Sequence, residues 1–166
     1  MFLAFAGVLI TGIGQLKAAT DSYYLALPGI TGDASVAGHL HDIAVTGFEY
    51  PGISGSAQSF YIEKVFDSAS AQLLLASVSG TTISSGTFYC DAGGGGELEK
   101  TQHVFVMVFG DLMVDAWQSA DMGTADPVPK EKVSFSFSSL SITTYPARAK
   151  GGGSPVTTLI YPPLHN

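Results

Sequence analysis

The sequence is poor in charge: Asp, Glu, Lys and Arg make up only 13% of its 166 residues, roughly half the share usual for a soluble domain. Cations are scarcest, with seven Lys and Arg against fourteen Asp and Glu and a formal charge of −7. Binding to a phosphate backbone needs clustered Lys and Arg, so no nucleic-acid partner is expected. The single cysteine, Cys90, excludes an intrachain disulfide framework and any zinc site of the multi-cysteine kind. No apolar run reaches the roughly 20 residues of a bilayer-spanning helix, so no stable membrane span is expected. What is plentiful is apolar: 46% of residues, with a mean hydropathy of +0.30. Such a chain needs cover for part of its exterior, from a membrane or from copies of itself. The length favours one domain with a sizeable core, and 20 Gly and 8 Pro mark many turns between short elements.

The first 19 residues read as a hydrophobic leader, and residues 20–166 as one domain. The apolar run from Phe2 to Ile13 has the length of a secretory-signal core, and Ala18–Ala19 offers a cleavage point. Against that reading, no Lys or Arg precedes the run, and Lys17 sits beside the cleavage point. A retained buried strand and a start codon assigned upstream of the real one are the alternatives.

Beyond Thr20 the dominant period is two. Tyr23, Leu25 and Leu27 alternate with Ser22, Tyr24 and Ala26, a half-buried strand ended by the turn-rich Pro28–Asp33. Further strands are expected from Ile43 towards Tyr50, over Ser59–Val65, Thr81–Cys90, His103–Phe109 and Met113–Trp117, with mobile loops at Pro51–Ser56 and Asp91–Gly96. One helix is expected over Asp67–Gly80, capped by Asp67 or Ser68, ended by Gly80, and burying Ala69, Leu73 and Ala76. Val133, Phe135 and Phe137 alternate strictly with serines before the apolar set changes phase to Leu140 and Ile142. A bulge or bend near Ser138–Ser139 follows, because a one-residue slip swaps the faces of a strand. Gly151–Ser154 reads as a flexible turn before a terminal edge strand, Val156–Tyr161. The fold class is mainly β: a compact antiparallel β-barrel or sandwich with one flanking α-helix.

Few residues suggest chemistry. His39 and His41 form an H-x-H pair that on a strand would face one ion, but no third ligand is apparent and Asp42 would point away; a solvent-facing pair beside a turn is expected. Gly93–Gly96 lacks the Lys-Ser/Thr of a phosphate loop, and Gly52-Ile53-Ser54-Gly55-Ser56 misses the second glycine of a nucleophile elbow. Asp91 beside Cys90 opposes a thiolate. No catalytic residue, cofactor or metal is expected, and the chain does not read as an enzyme. Adjacent aromatic residues are more telling. In Tyr23–Tyr24 and Phe48–Tyr50, one ring must point outward, to solvent or to a neighbouring subunit.

Four stretches in order resemble the haemolysin-coregulated protein (Hcp) family, the tube proteins of type VI secretion systems. They are Asp21–Ser35, His41–Val45, Ile62–Leu73 and Glu131–Tyr145. The third is similar to the family's Lys-x-x-Asp-x-x-Ser-Pro-x-Leu helix start, with Ala71 where Pro is usual. The hydrophobic leader also departs from the family, whose tube subunits are normally made without a cleaved signal.

The resemblance implies a β-barrel that assembles with itself into hexameric rings, stacked as a tube through which or with which effectors are delivered, and that meets spike and sheath proteins. The ring-stacking contact is expected at the loop carrying Phe48, Glu49, Tyr50, Pro51, Ile53 and Ser56. The ring contact is expected at Tyr23, Tyr24, Phe135 and Phe137. Localisation would be extracellular after cytoplasmic assembly, or the periplasm or medium if the leader is cleaved. An exported Hcp-like binding or adhesive protein, working outside a contractile apparatus, is the alternative.

Overall fold

A computed structural model describes residues 21–50, 53–54, 57–92, 103–120, 128–145 and 154–160. The leader, Pro51, Ser56, Gly93–Gly96 and Gly151–Gly153 lie outside the described residues.

The first strand, β1 (Ser22–Ala26), ends in a Pro28-Gly29 turn in which Ile30 N–H donates to the Leu27 carbonyl at 3.2 Å. Gly29 has φ 81°, the value that position of a type II turn demands. The chain then folds back on itself: Gly32 and Ala34 donate to the carbonyls of His41 and Asp42, and His41 donates to that of Ala34. A Cβ at Gly32 would run into the Asp42 carbonyl, so only glycine allows this approach.

β2 (Ile43–Val45) pairs with β1, whereas β3 (Gly47–Glu49) pairs with β5 (Ala57–Val65). Between them lies only Thr46, whose N–H donates to the Glu63 carbonyl at 2.7 Å. With β6 (Thr82–Asp91), β7 (His103–Ala120) and β8 (Lys130–Ser136), the strand path β2-β1-β6-β7-β8-β5-β3 therefore starts and ends on one continuous segment, which closes the barrel. The stretch expected as a loop at Pro51–Ser56 contains a short strand, β4 (Ile53–Ser54), paired with Ala57–Gln58.

The helix α1 (Ser70–Ser79) is shorter than expected at its start. Its N-cap is Ala69, with no side-chain cap; Asp67 instead accepts the Ala69 N–H at 2.9 Å, one turn earlier. Gly80 ends it at φ 63°, as expected, and Leu73 and Ala76, with Ala69 just before the helix, are buried. Among the described residues, no helix is long and apolar enough to cross a membrane.

β6 (Thr82–Asp91) and β7 (His103–Ala120) form a long hairpin. The two strands expected at His103–Phe109 and Met113–Trp117 are one. Gly110–Asp111 bends β7 without ending it, with Asp111 at φ 48° and a register shift between Val114 and Ala116. β8 (Lys130–Ser136) and β9 (Ser139–Thr144) run successively along the same edge of β7. Ser138 N–H, between them, donates to the Gly110 carbonyl at 2.9 Å, so the bend expected near Ser138–Ser139 lies opposite the bend in β7. β10 (Val156–Ile160) adds to β9 as the expected edge strand. The core is an aromatic and aliphatic stack in which Leu25, Phe60, Ile62, Phe88, Phe109, Leu112 and Phe135 are fully buried.

Candidate assembly surfaces

Cross-strand register decides which side chains share the barrel's exterior. Leu25, Phe88, Met107 and Ile142 form a row facing the core. The neighbouring rows therefore face outward: Tyr24, Tyr89, Val106, Thr143 and Thr157 in one, Ala26, Thr87, Val108 and Ser141 in the other. Neither row contains a charge. β10 carries this surface to an edge with no further strand beside it among the described residues, where unpaired backbone groups can accept another chain. A second apolar surface lies on α1, where Leu75 is 68% and Val78 79% exposed and Leu74 is exposed beside them.

The residues expected at the ring contact divide between the two faces. Tyr24 points outward, but His39 covers it: the rings stack 4.1 Å apart, tilted by 5°. Tyr23 points inward against Phe48 and Phe88. Phe135 and Phe137, 0% and 6% exposed, lie in the protomer's own core; on β8 the half-exposed Ser134 and Ser136 alternate with them. These two phenylalanines have almost no side-chain surface to offer a neighbouring subunit.

The residues expected at the stacking contact divide similarly. Phe48 packs on Phe60, Phe88 and Phe105. Tyr50 packs towards Phe137, and its buried hydroxyl has no hydrogen-bond partner among the described residues; burial raises its pKa above the ordinary value. Glu49 is exposed and accepts from Lys132 at 3.1 Å. Ile53 lies in β4, and Pro51 and Ser56 lie outside the described residues.

A buried polar network ties α1 to the barrel and accounts for the motif at the helix start. Lys64, 0% exposed, donates to Glu131 at 2.7 Å, Asp67 at 2.6 Å, Ser70 at 3.1 Å and the Val65 carbonyl at 2.9 Å. Ser70 Oγ also donates to Glu131 and accepts from Asp67 N–H, while Trp117 Nε1 donates to the second Glu131 oxygen at 2.7 Å. Of the three residues at a spacing of three, Lys64 and Ser70 thus converge on the buried Glu131 carboxylate, while Asp67 pairs with Lys64 and with the helix start. Glu131, distant in sequence, was missed as its partner. Asp33 accepts a hydrogen bond from the Ser68 hydroxyl, fixing the first turn segment to the same helix start.

His39 and His41 do not form the solvent-facing pair expected. His41 is exposed, with φ 68°, whereas His39 is buried between Asp42 and Asp91. Their segment is a turn, not a strand, so the two rings diverge. Cys90 is buried, and desolvation, with the charges of Asp21 and Asp91, pushes its thiol up to about 11, in line with the opposition expected from Asp91.

This barrel, with the one helix among its described residues, matches solved structures in fold. Hcp1 from Salmonella typhimurium matches at TM-score 0.69 and 22% identity, over 82% of this chain and 91% of that one. A type VI secretion system effector from Yersinia pestis matches at TM-score 0.67 and 21% identity, over 84% and 98%. Secreted protein Hcp3 from Pseudomonas aeruginosa matches at TM-score 0.63 and 19% identity, over 84% and 98%. At these identities the likeness establishes the fold. No curated protein matches the chain in sequence. The family model for the type VI secretion system effector Hcp matches residues 24–144. The chain belongs to the Hcp family of type VI secretion.

Proposed function

We propose that the chain is a non-enzymatic tube subunit that forms hexameric rings, which stack and deliver effectors out of the cell in company with spike and sheath proteins. The observation that carries this reading is the exterior strip of Thr87, Tyr89, Val108, Ser141 and Thr143, which crosses the barrel without a charge and ends at the edge strand β10; Val106, in the same row, is already buried. A closed ring needs each subunit to offer two different, complementary surfaces. The strip with its open edge is one, and the apolar side chains exposed on α1 provide another. Low charge and high hydropathy suit a chain that covers much of its exterior on assembly. Axial stacking falls to the segment from Phe48 to Ser59, with Glu49 its exposed residue among those described.

The test is to shorten residues 51–56 and image the purified protein by negative stain. Single rings should persist while stacks become rare. Long tubes from the shortened protein would remove this segment from the axial contact, and particles without rings in the parent protein would remove the tube reading itself. In that case the exported binding protein, needing no self-assembly, becomes the better account.

A further inference from the structure

Outside the barrel wall, the β6–β7 hairpin and a segment some way before it in sequence bring a compact set of ligating atoms together. Asp91 ends β6, His103 begins β7, and His39 comes from the folded-back segment that covers Tyr24. His39 Nε2 lies 2.7 Å from one oxygen of Asp91, and His103 Nδ1 lies 2.6 Å from the other. One ligating atom from each of the three residues lies within 4.8 Å of the other two.

The surroundings hold this set in place. His39 Nδ1 donates to Asp42 at 2.9 Å, which leaves Nε2 facing Asp91. Tyr24 stacks on one face of the imidazole and Tyr89 meets it edge-on at 4.8 Å. Asp42 is itself held, because its carbonyl accepts from Ala34 and its N–H donates to the His39 carbonyl. A carboxylate that fixes the far nitrogen of a ligating imidazole is the usual outer shell of a zinc-type centre.

We propose that His39 Nε2, Asp91 and His103 Nδ1 form a binding site for one divalent transition-metal ion of the zinc or cobalt type. Two imidazoles and one carboxylate suit such ions, whereas magnesium and calcium prefer shells made of oxygen alone. The ion takes the place of the hydrogens that now bridge Asp91 to the two rings; each ring ligates as the neutral imidazole, with its one proton on Nδ1 of His39, towards Asp42, and on Nε2 of His103, and any proton in excess of these leaves to water. With metal–ligand bonds of about 2.0–2.1 Å, each ring nitrogen needs to separate slightly from its Asp91 oxygen, and ligand atoms now as much as 4.8 Å apart need to draw together by about 1 Å, which the half-exposed His103 side chain can supply. His103 is 31% exposed, which gives water access to a fourth position. The bound ion would staple the 31–42 segment to the β6–β7 hairpin, beside the outward row of Tyr89 and Val106. This inference does not depend on the tube reading, since every ligand comes from one protomer.

The test uses the full chain, stripped with a chelator and titrated with cobalt chloride followed by its visible absorption, and with zinc chloride followed by calorimetry. The expected result is one ion per protomer, with magnesium chloride giving no saturable binding. His103→Ala, at a half-exposed position that leaves the fold intact by circular dichroism, should weaken binding by more than the roughly 10–100-fold that losing an outer-shell group costs. Asp42→Asn should fall within that roughly 10–100-fold range, and His41→Ala should change nothing. Zinc should raise the melting temperature of the parent protein and not that of His103→Ala. The proposal is overturned if the parent binds neither ion stoichiometrically, if binding survives His103→Ala unchanged, or if His41→Ala abolishes it.

Discussion

At the scale of single residues, two buried groups make opposite demands on solvent. Cys90 is buried next to acidic neighbours, and its thiol rises from 9.0 to about 11. The sign of its effect on stability follows from linkage: the native state resists ionisation, so the thiol's contribution is intact below pH 9 and is lost as pH rises through the window between 9.0 and about 11. At pH 8 the native protein should react with a disulfide reagent far more slowly than the urea-unfolded chain. Equal rates would place the thiol in contact with water.

Lys64 is the reverse case, a buried cation whose protons are all taken up by acceptors. Removing it leaves Glu131 buried and without its counter-charge, so Lys64→Met should cost about 3–5 kcal/mol in equilibrium urea unfolding at matched protein concentration. A loss below about 1 kcal/mol would mean that Trp117 and Ser70 alone satisfy the carboxylate. The Lys-x-x-Asp-x-x-Ser spacing was legible in sequence, but the reason for it was not, because Glu131 lies 67 positions from Lys64.

At the scale of elements, periodicity carried most of the fold. Strict alternation placed β8 on its correct faces, and the change of phase after Phe137 located the bend between β8 and β9. What periodicity could not supply was which side of a strand a distant segment covers. Tyr24 was expected to meet solvent or another subunit; a histidine 15 residues later in the chain does the covering. His103–Phe109 and Met113–Trp117 were expected as two strands, yet the hairpin partner β6 and the returning β8–β9 edge hold β7 as one bent strand across Gly110–Asp111. Phe135 and Phe137 were expected at the ring contact, although their alternation with serines already implied that one face is core.

The helix shows a departure from the family's pattern and what it costs. Ala71 stands in the exposed first turn of α1, where the resemblance has Pro. A proline in the first turn lacks only an N–H that the helix does not use, and it restricts the unfolded chain. Ala71→Pro should therefore stabilise the protein by about 0.4–1 kcal/mol, read as a raised urea midpoint with an unchanged slope. A lowered midpoint would show that the backbone at this start cannot accept the ring.

At the scale of the whole molecule, closure and exposure explain each other. The segment Ile43–Glu49 pairs at both ends and seals the barrel, so the sheet's main path ends in no free edge there. The open edge is displaced to β10, beyond the charge-free strip. A monomer would leave Val108 and the apolar side of α1 in water. A ring covers both. The composition foreshadowed this before any fold was considered, through its deficit of Lys and Arg and its positive hydropathy, but it could not say which face is covered.

The central claim is self-assembly, and the solution mass of the purified full chain tests it most directly, by size exclusion with light scattering. The expected result is a single species near six times the protomer mass, unchanged on dilution through the working range. A stable species at one protomer mass would contradict it, leaving an Hcp-family barrel that works alone.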